Sequence, residues 1–278
     1  MSYVAKRMVY APHRRNPTLL RFIIVACLRN IYTFEVFILN KILNRIFPII
    51  TKQKPIITKQ KTYTEAYLNW LCFANAGMLN AGNIYLMKYA IDHLPSDDPI
   101  IEIGSFCGLS TNVISYFLKK RINKIFCVDK WIFEGAENGG YLGNSDILHS
   151  DYKSFVKKNF LRNISFFSQQ AIPHPIELFS DEFFERWSEN TKITDLFGRS
   201  VQLGGRVSFC YVDGNHTYEY VKRDFNNIDR HLVSGGFILF DDSDDTNPFG
   251  LTKLMREINR DPRYRLVMKN PNYLFQKY

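Results

Sequence analysis

Glycines and residues with hydroxyl side chains follow the first β-rich run of the chain, Ile100–Ile103. The loop after this run carries Gly104 and Gly108, and Ser110 and Thr111 come next. Two glycines let the backbone approach a ligand closely, and a helix that begins there offers unpaired amide N–H groups to an anionic group. The dinucleotide fingerprint uses three glycines to admit a pyrophosphate, and this loop lacks the middle one. The spacing therefore predicts a cofactor without a pyrophosphate.

An acid, Asp129, follows the second β-rich run at residues 124–128. It stands about twenty residues beyond the glycine loop, where a carboxylate can accept hydrogen bonds from both ribose hydroxyls of an adenosine. Either feature alone also fits a loop with a purely structural role. Together, at one edge of a sheet, they favour a nucleoside cofactor.

The elements that must position these loops are short strands alternating with helices. From Pro99 onward this alternation predicts a parallel sheet with helices on both faces. Residues 269–272 form a turn cluster, so the chain should end in an antiparallel hairpin. Residues 63–94 predict two helices before the sheet, broken around Gly77 and Gly82. The seven predicted strands are residues 100–103, 124–128, 164–167, 207–212, 237–240, 264–268 and 273–276.

Basic residues are concentrated at the amino terminus. Residues 1–61 hold 12 Lys and Arg against the single acid Glu35, a net charge of +11 in a chain whose total is +9. We expect residues 1–61 to be a basic amphipathic appendage and linker, 62–97 a helical cap, and 98–278 the core domain. Because the remaining residues are slightly acidic, no nucleic-acid partner is expected.

The appendage leaves several roles open. Charged residues interrupt its apolar stretch, residues 18–50, so no uninterrupted span is long enough to cross a membrane. Its helices could pack on the core domain or a second subunit, lie peripherally in an anionic membrane interface, or form a cleaved transit peptide. An oligomer remains one of these alternatives.

The five cysteines are far apart and form no Cys-x-x-Cys pair. Such scattered cysteines are typical of buried thiols in a reducing compartment, without a disulfide framework or zinc site. We therefore expect a cytoplasmic protein, with a peripheral position at the inner membrane face as the alternative. The cysteines are Cys27, Cys72, Cys107, Cys127 and Cys210.

The segments EIGSFCGLST, IFCVDK, FCYVDGNHTYEYVKRD and LVSGGFILFDD resemble the run of motifs in class I S-adenosylmethionine-dependent methyltransferases. The resemblance covers roughly residues 85–278. It is greatest to the sugar and natural-product O-methyltransferases and the cephalosporin hydroxylase-like proteins. It implies an α/β fold with a Rossmann-like, doubly wound sheet of seven strands, mostly parallel, with a C-terminal antiparallel hairpin and N-terminal helices.

The resemblance also implies roles in binding S-adenosylmethionine. Glu102 would hold the methionine amino group, the loop from Gly104 through Ser105 to Gly108 would wrap the methionine and ribose, and Asp129 would bind the ribose diol. Gln169 and Gln170 would follow the third predicted strand, where the family contacts adenine, although they depart from its common Gly-Asp-Ser pattern. The further residues expected at the cofactor are Ser110, Thr111 and Lys130.

Methyl transfer to a hydroxyl requires a positioned nucleophile and removal of its proton. His216 is the predicted base because its unperturbed pKa of about 6.5 suits this task, with helix capping as its alternative role. Asp213, Asp241 and Asp242 follow two predicted strands and could hold Mg²⁺, which would lower the pKa of the hydroxyl. Related sugar methyltransferases bind magnesium with acids at these positions. The alternative is that these acids cap helices or order loops.

The predicted function is therefore S-adenosylmethionine-dependent methylation, on a hydroxyl of a small-molecule or glycan acceptor, with magnesium assistance and with Asp213 and His216 at the reacting group. Fold does not fix function, so two alternatives stay open. One is a metal-dependent hydroxylase or hydrolase on the same fold. The other is a non-catalytic, membrane-associated protein that binds a nucleoside.

Overall fold

The computed structural model describes residues 60–132, 139–247 and 250–278. The predicted appendage, residues 1–61, lies outside the described residues except for its last two positions. The division into appendage, cap and core therefore stays a prediction. Within the described ranges, no helix has the length and apolar character needed to cross a bilayer.

Nine strands and seven helices make up the described ranges. The strands are β1 Ile100–Ile103, β2 Ile125–Val128, β3 His174–Ile176, β4 Lys192–Thr194, β5 Ser200–Gln202, β6 Val207–Val212, β7 Leu232–Phe240, β8 Tyr264–Lys269 and β9 Tyr273–Lys277. The helices are α1 Ala66–Ala74, α2 Ala81–Asp92, α3 Leu109–Leu118, α4 His149–Phe167, α5 Ser180–Ser188, α6 Tyr218–Asp229 and α7 Leu251–Arg260.

Seven of the strands form one sheet in the order β3, β2, β1, β6, β7, β9, β8. The first five are parallel, and β9 pairs antiparallel with both β7 and β8. The chain moves outward from β1 to β3 and then returns to place β6 against the other side of β1. This reversal between β1 and β6 is the point of a doubly wound sheet where ligands bind, beyond the carboxyl ends of the strands. The predicted fold class is confirmed.

Helices cover both faces of the sheet because successive strand residues point to opposite sides. Ile100 lies in a core with α1 to α4, whereas Ile101 and Ile103 lie in a second core with α5, α6 and α7. The second core takes its aromatic side chains from α5, where Phe183 and Trp187 are fully buried. Polar residues follow the carboxyl ends of the strands, beyond these two cores.

Two helices precede the sheet, as predicted, and α2 begins with a capping contact. The Asn80 side chain accepts a hydrogen bond of 2.8 Å from the Gly82 amide, which satisfies one of the first amide groups of the helix. The terminal hairpin of β8 and β9 is also confirmed.

The strand predicted at residues 164–167 is wrong, because these residues form the last turn of α4. Val156, Phe160 and Ile164 are fully buried at intervals of four residues, which is the spacing of one helix face. The third strand of the sheet is instead His174–Ile176, which contains Pro175 and spans three residues. Residues 164–167 have residue types that favour strands, although they belong to a segment with helical spacing of its buried residues.

Candidate active site at the switch point

Three loops meet at the carboxyl ends of β1, β6 and β7. The pairing of Ile103 with Val212, and of Val212 with Phe240, puts the next residues of each strand in one row. Gly104, Asp213 and Asp241 are these residues. The sheet register therefore brings the predicted glycine loop and two of the predicted acids together.

The glycine loop has positive φ angles, which residues other than glycine rarely adopt. Gly104 and Gly108 have φ angles of +81° and +85°, and Phe106 between them has +45°. A Cβ on Gly104 would lie 2.0 Å from the backbone oxygen of Asp213. Only glycine lets β1 turn this sharply while its loop lies against the loop after β6.

Glu102 lies on β1 below this loop and is fully buried. Its Oε2 accepts hydrogen bonds from the hydroxyls of Ser105, at 2.8 Å, and Thr111. Its Oε1 is buried and has no hydrogen-bond partner among the described residues. Burial raises the pKa of the Glu102 carboxyl, and hydrogen bonds from Ser110, Thr111 and Ser105 oppose the rise. A buried acceptor without a donor is the kind of atom that an ammonium group of a ligand satisfies.

Asp129 ties the end of β2 to the same loop. Its Oδ2 accepts from the backbone amides of Ser105 at 2.8 Å and Phe106 at 3.0 Å, and its Oδ1 from the amide of Trp131. Burial raises the pKa of Asp129, and these amide hydrogen bonds oppose the rise. A carboxylate has about four acceptor positions, so three amides leave capacity for a ribose hydroxyl.

Three residues expected at the cofactor have surroundings that the sequence did not predict. Lys130 forms an ion pair of 3.4 Å with Glu182 and lies over the ring of Phe179, on the α5 side. Gln169 and Gln170 are exposed in the turn after α4. Because the third strand begins only at His174, both glutamines precede that strand and lie toward its amino end, not at the edge that carries the glycine loop.

Asp213 and Asp241, the two acids of this row, are called the acid row. Oδ2 of Asp213 accepts a hydrogen bond of 3.1 Å from the buried Tyr211 hydroxyl. Burial raises the pKa of Asp213 well above its usual value, and the neighbouring Asp241 carboxyl raises it further. The Oδ1 atom of Asp241 accepts from the side-chain amides of Asn83 and, at 2.8 Å, Asn272. Asp241 is therefore held by α2 and by the turn between β8 and β9.

His216 stands between two of the predicted acids. Its Nε2 lies 3.8 Å from Oδ1 of Asp213 and 3.6 Å from Oδ2 of Asp242. Asp242 has a left-handed φ of +48°, so the chain leaves the extended conformation two residues after β7. Burial raises the pKa of Asp242, the Asp241 charge adds to the rise, and His216 opposes it. The arrangement can move a proton between an acceptor group and an imidazole.

The predicted metal ligands Asp213, Asp241 and Asp242 all lie near this row. In the part of the chain that the structure describes, no group of three His, Cys, Asp or Glu side chains is arranged so that it could hold a metal ion. The magnesium site thus stays a prediction.

Reasoning from the sequence missed Asn83, Tyr211 and Asn272. Tyr211 could have been found, since an even-numbered offset from Asp213 puts both side chains on one face of β6. Asn83 and Asn272 are 189 residues apart and meet through an amide hydrogen bond of 3.0 Å, for which the sequence holds no local signal.

Comparison with known proteins identifies the domain. A family model, the methyltransferase domain, matches residues 101–243, just over half of the 278 residues. No curated protein matches the chain.

Among solved structures, three O-methyltransferases are similar at low identity. CalS11, a TDP-rhamnose 3'-O-methyltransferase of calicheamicin biosynthesis, has 14% identity and a TM-score of 0.46 over 70% of this chain and 77% of its own. NovP has 13% identity and a TM-score of 0.47 over 70% and 78%. TomG from Streptomyces achromogenes, involved in tomaymycin synthesis and solved with SAM, has 11% identity and a TM-score of 0.46 over 78% and 91%.

The matched range, more than half of the chain, includes Gly104, Asp213 and Asp241, the row at the switch point. The chain therefore belongs to the methyltransferase domain family, and it is a class I S-adenosylmethionine-dependent methyltransferase.

Proposed function

We propose that the protein methylates a hydroxyl oxygen of a small-molecule or glycan acceptor. The observation that carries the proposal is the position of His216, 3.6 Å from Asp242 and 3.8 Å from Asp213, at the edge that also carries the glycine loop. A hydroxyl is a weak acid and needs a base, whereas an unprotonated amine needs none. A base beside two carboxylates therefore favours oxygen as the acceptor atom.

The cofactor, when bound, supplies a sulfonium methyl group that is open to in-line displacement. Nε2 of His216 would take the proton of the acceptor hydroxyl as its oxygen accepts that methyl group. Asp213 and Asp242 stabilise the imidazolium that results, because opposite charges at this distance favour each other. Glu102, through its unpartnered Oε1, would hold the methionine ammonium, and Asp129 would hold the ribose.

Magnesium assistance is a second part of the proposal. Asp213 and Asp241 would hold the ion, which would lower the pKa of the acceptor hydroxyl. The supporting observation is that the charge of Asp241 disfavours ionisation of Asp213, a cost that a cation between them would remove. Asp242 would become a third ligand of the ion only if its carboxylate moved away from His216.

The first test is calorimetric binding of S-adenosylhomocysteine to the full chain, with and without Mg²⁺. We expect micromolar binding that is lost in Asp129→Ala and retained in the control Asp151→Ala, which removes an exposed acid on α4. An enhancement by Mg²⁺ that disappears in Asp213→Asn would support the metal. Absence of binding to the folded wild-type chain would overturn the cofactor assignment.

The acceptor is then sought by release of S-adenosylhomocysteine from S-adenosylmethionine in the presence of sugars, phenols and amines. Turnover on hydroxyl compounds alone, with loss in His216→Ala, is the expected result. Turnover on amines that survives His216→Ala would contradict O-methylation.

A further inference from the structure

The outer face of α1 is apolar although it is exposed. The helix, AYLNWLCFA, carries no charged residue. Leu68 and Leu71 fill its buried side, yet Trp70 is 51% exposed and Phe73 is 92% exposed on the other side. An exposed apolar patch of this kind commonly marks an interaction surface. The apolar surface also extends beyond α1.

The face continues onto α4 through ring contacts. The Trp70 ring lies 5.6 Å from that of Phe167, which in turn lies 4.9 Å from the exposed Phe166. Along α4, aromatic and basic side chains share one exposed stripe at helical spacing, namely Phe155, Lys158, Arg162 and Phe166. We call the set Trp70, Phe73, Phe155, Lys158, Arg162 and Phe166 the aromatic–basic face.

The charge on this face is of one sign. Neither Lys158 nor Arg162 makes an ion pair with any other described residue. The only acid of α4 is Asp151, in its first turn. Lys119 and Lys120 follow α3 beside the face, where Lys119 lies 4.3 Å over the ring of Tyr116, which stacks on Tyr67 of α1.

The sequence that leads into the face has the same character. Residues 1–61, which end five residues before α1, carry a net charge of +11 and a Leu-, Ile- and Phe-rich stretch at 18–50. Basic residues interleaved with aromatic ones are the composition of segments that lie in the interface of an anionic membrane.

We propose that the aromatic–basic face docks on an anionic lipid surface. Trp70, Phe73, Phe155 and Phe166 enter the boundary between headgroups and acyl chains, and Lys158 and Arg162 contact the lipid phosphates. A second copy of the chain is a poorer occupant, because a two-fold contact would bring the unpaired cations of both copies together. Single-stranded nucleic acid is also poorer, since stacking platforms lie in grooves that follow the strand, and this face is the outside of two helices.

The protein carries its own reporter for the test. Of its three tryptophans, Trp131 and Trp187 are at most 1% exposed, so Trp70 is the one that a surface can reach. The full chain is mixed with vesicles rich in phosphatidylserine that contain brominated phosphatidylcholine. We expect a blue shift and quenching of the emission, absent with pure phosphatidylcholine and reduced by salt. Trp70→Phe should keep binding and lose the quenching.

Two variants test the face itself by co-sedimentation with the same vesicles. Trp70→Ser with Phe73→Ser should weaken binding about tenfold through lost apolar burial. Lys158→Glu with Arg162→Glu should weaken it by at least about tenfold, because each basic residue near an anionic surface contributes separately. Matched controls are Tyr278→Ser and Lys192→Glu, which change exposed residues elsewhere and should bind like the wild type.

Three results would overturn the proposal. One is wild-type binding in both double variants, which would assign any membrane contact to residues 1–59 alone. Another is a wild-type dimer in light scattering that the Trp70/Phe73 variant converts to a monomer. The third is quenching of Trp70 by single-stranded RNA with none by vesicles. All variants are compared at equal thermal stability and equal S-adenosylhomocysteine affinity, which keeps misfolding out of the comparison.

Discussion

Asn272 donates its side-chain amide to Oδ1 of Asp241 at 2.8 Å, while its own Oδ1 accepts from the backbone amides of Ser243 at 3.0 Å and Asp244 at 3.2 Å. One turn residue of the terminal hairpin thus orients a buried carboxylate and anchors the loop that carries it. Asn83 donates to the same Asp241 oxygen from α2. Neither asparagine lies within residues 101–243, so the acid row depends on elements outside the matched family region.

Removing either amide donor should destabilise the fold through Asp241. Asn272→Ala leaves a buried carboxylate oxygen short of one donor, for which we expect a loss of about 1–3 kcal/mol in the free energy of unfolding. Asn272→Asp should cost more, since it puts a second carboxylate against the first. Urea unfolding measures both. The control Asn227→Ala removes a surface amide that donates to Asp181 and should change stability by less than about 0.5 kcal/mol. Equal losses in Asn272→Ala and Asn227→Ala would refute the network.

Glu102→Gln should separate stability from cofactor affinity. The fully buried carboxyl has a raised pKa because of burial, so a neutral amide of the same shape should keep or raise the melting temperature. If the Gln carbonyl stays at the hydroxyls of Ser105 and Thr111, its NH2 group lies at the position of Oε1 and offers the ammonium a donor without a negative charge. We therefore expect S-adenosylhomocysteine to bind about 10- to 100-fold more weakly. Thermal unfolding and calorimetry report the two effects. Unchanged affinity would remove Glu102 from the cofactor site.

His216→Ala should affect turnover and leave cofactor binding unchanged. Loss of a general base lowers kcat by about 10²- to 10⁴-fold. The affinity for S-adenosylhomocysteine should stay within error, because His216 lies beside Asp213 and Asp242, which are not among the residues predicted to bind the cofactor. His93→Ala, which removes an exposed histidine at the end of α2, is the matched control and should retain full turnover. A proportional fall in kcat and affinity would instead indicate a structural role.

Asp224 should make the fold less stable as the pH rises. It is buried on α6, and burial, followed by the charge of Asp181, raises its pKa to about 7. Between an unfolded pKa of about 4 and this value the folded chain binds more protons, so stability falls with pH across that window and is lowest above it. The full loss is of the order of 4 kcal/mol. Asp224→Asn should reduce the slope in urea unfolding from pH 5 to pH 8, whereas the exposed control Asp151→Asn should leave it unchanged.

The sequence sufficed for elements whose pattern is local and strong. The strands around Ile101, Cys210 and Leu239 are runs of apolar residues bounded by glycines and acids, and their order along the chain fixed the parallel sheet. The glycine loop and Asp129 were placed at the same edge for the same reason, since both follow strands of one direction.

The errors came from segments with weak or competing signals. A strand is predicted at residues 164–167 because Ile and Phe favour strands. The four-residue spacing of Val156, Phe160 and Ile164 instead indicates a helix. β3 escaped because it has three residues and includes Pro175, which argues against a strand. That one misplacement moved Gln169 and Gln170 to the wrong end of the sheet.

Contacts between distant elements had no sequence signal at all. Asn83 and Asn272 are ordinary polar residues of a helix and a turn until folding brings them to Asp241. Lys130 follows Asp129 and forms an ion pair with Glu182 of α5, a contact that the sequence did not indicate, and its role at the cofactor stays a prediction. Side-chain choices of this kind are decided by tertiary neighbours.

The backbone contact between Gly104 and Asp213 sets limits for anyone who redesigns this enzyme. No side chain can be introduced at position 104, because its Cβ would meet the Asp213 carbonyl at 2.0 Å. A change that shifts the backbone after β6 would also shift the loop after β1, which is the loop that we predict to bind the methyl donor. Specificity is therefore better altered from the side of His216 and Asp242, where the side chains are partly exposed.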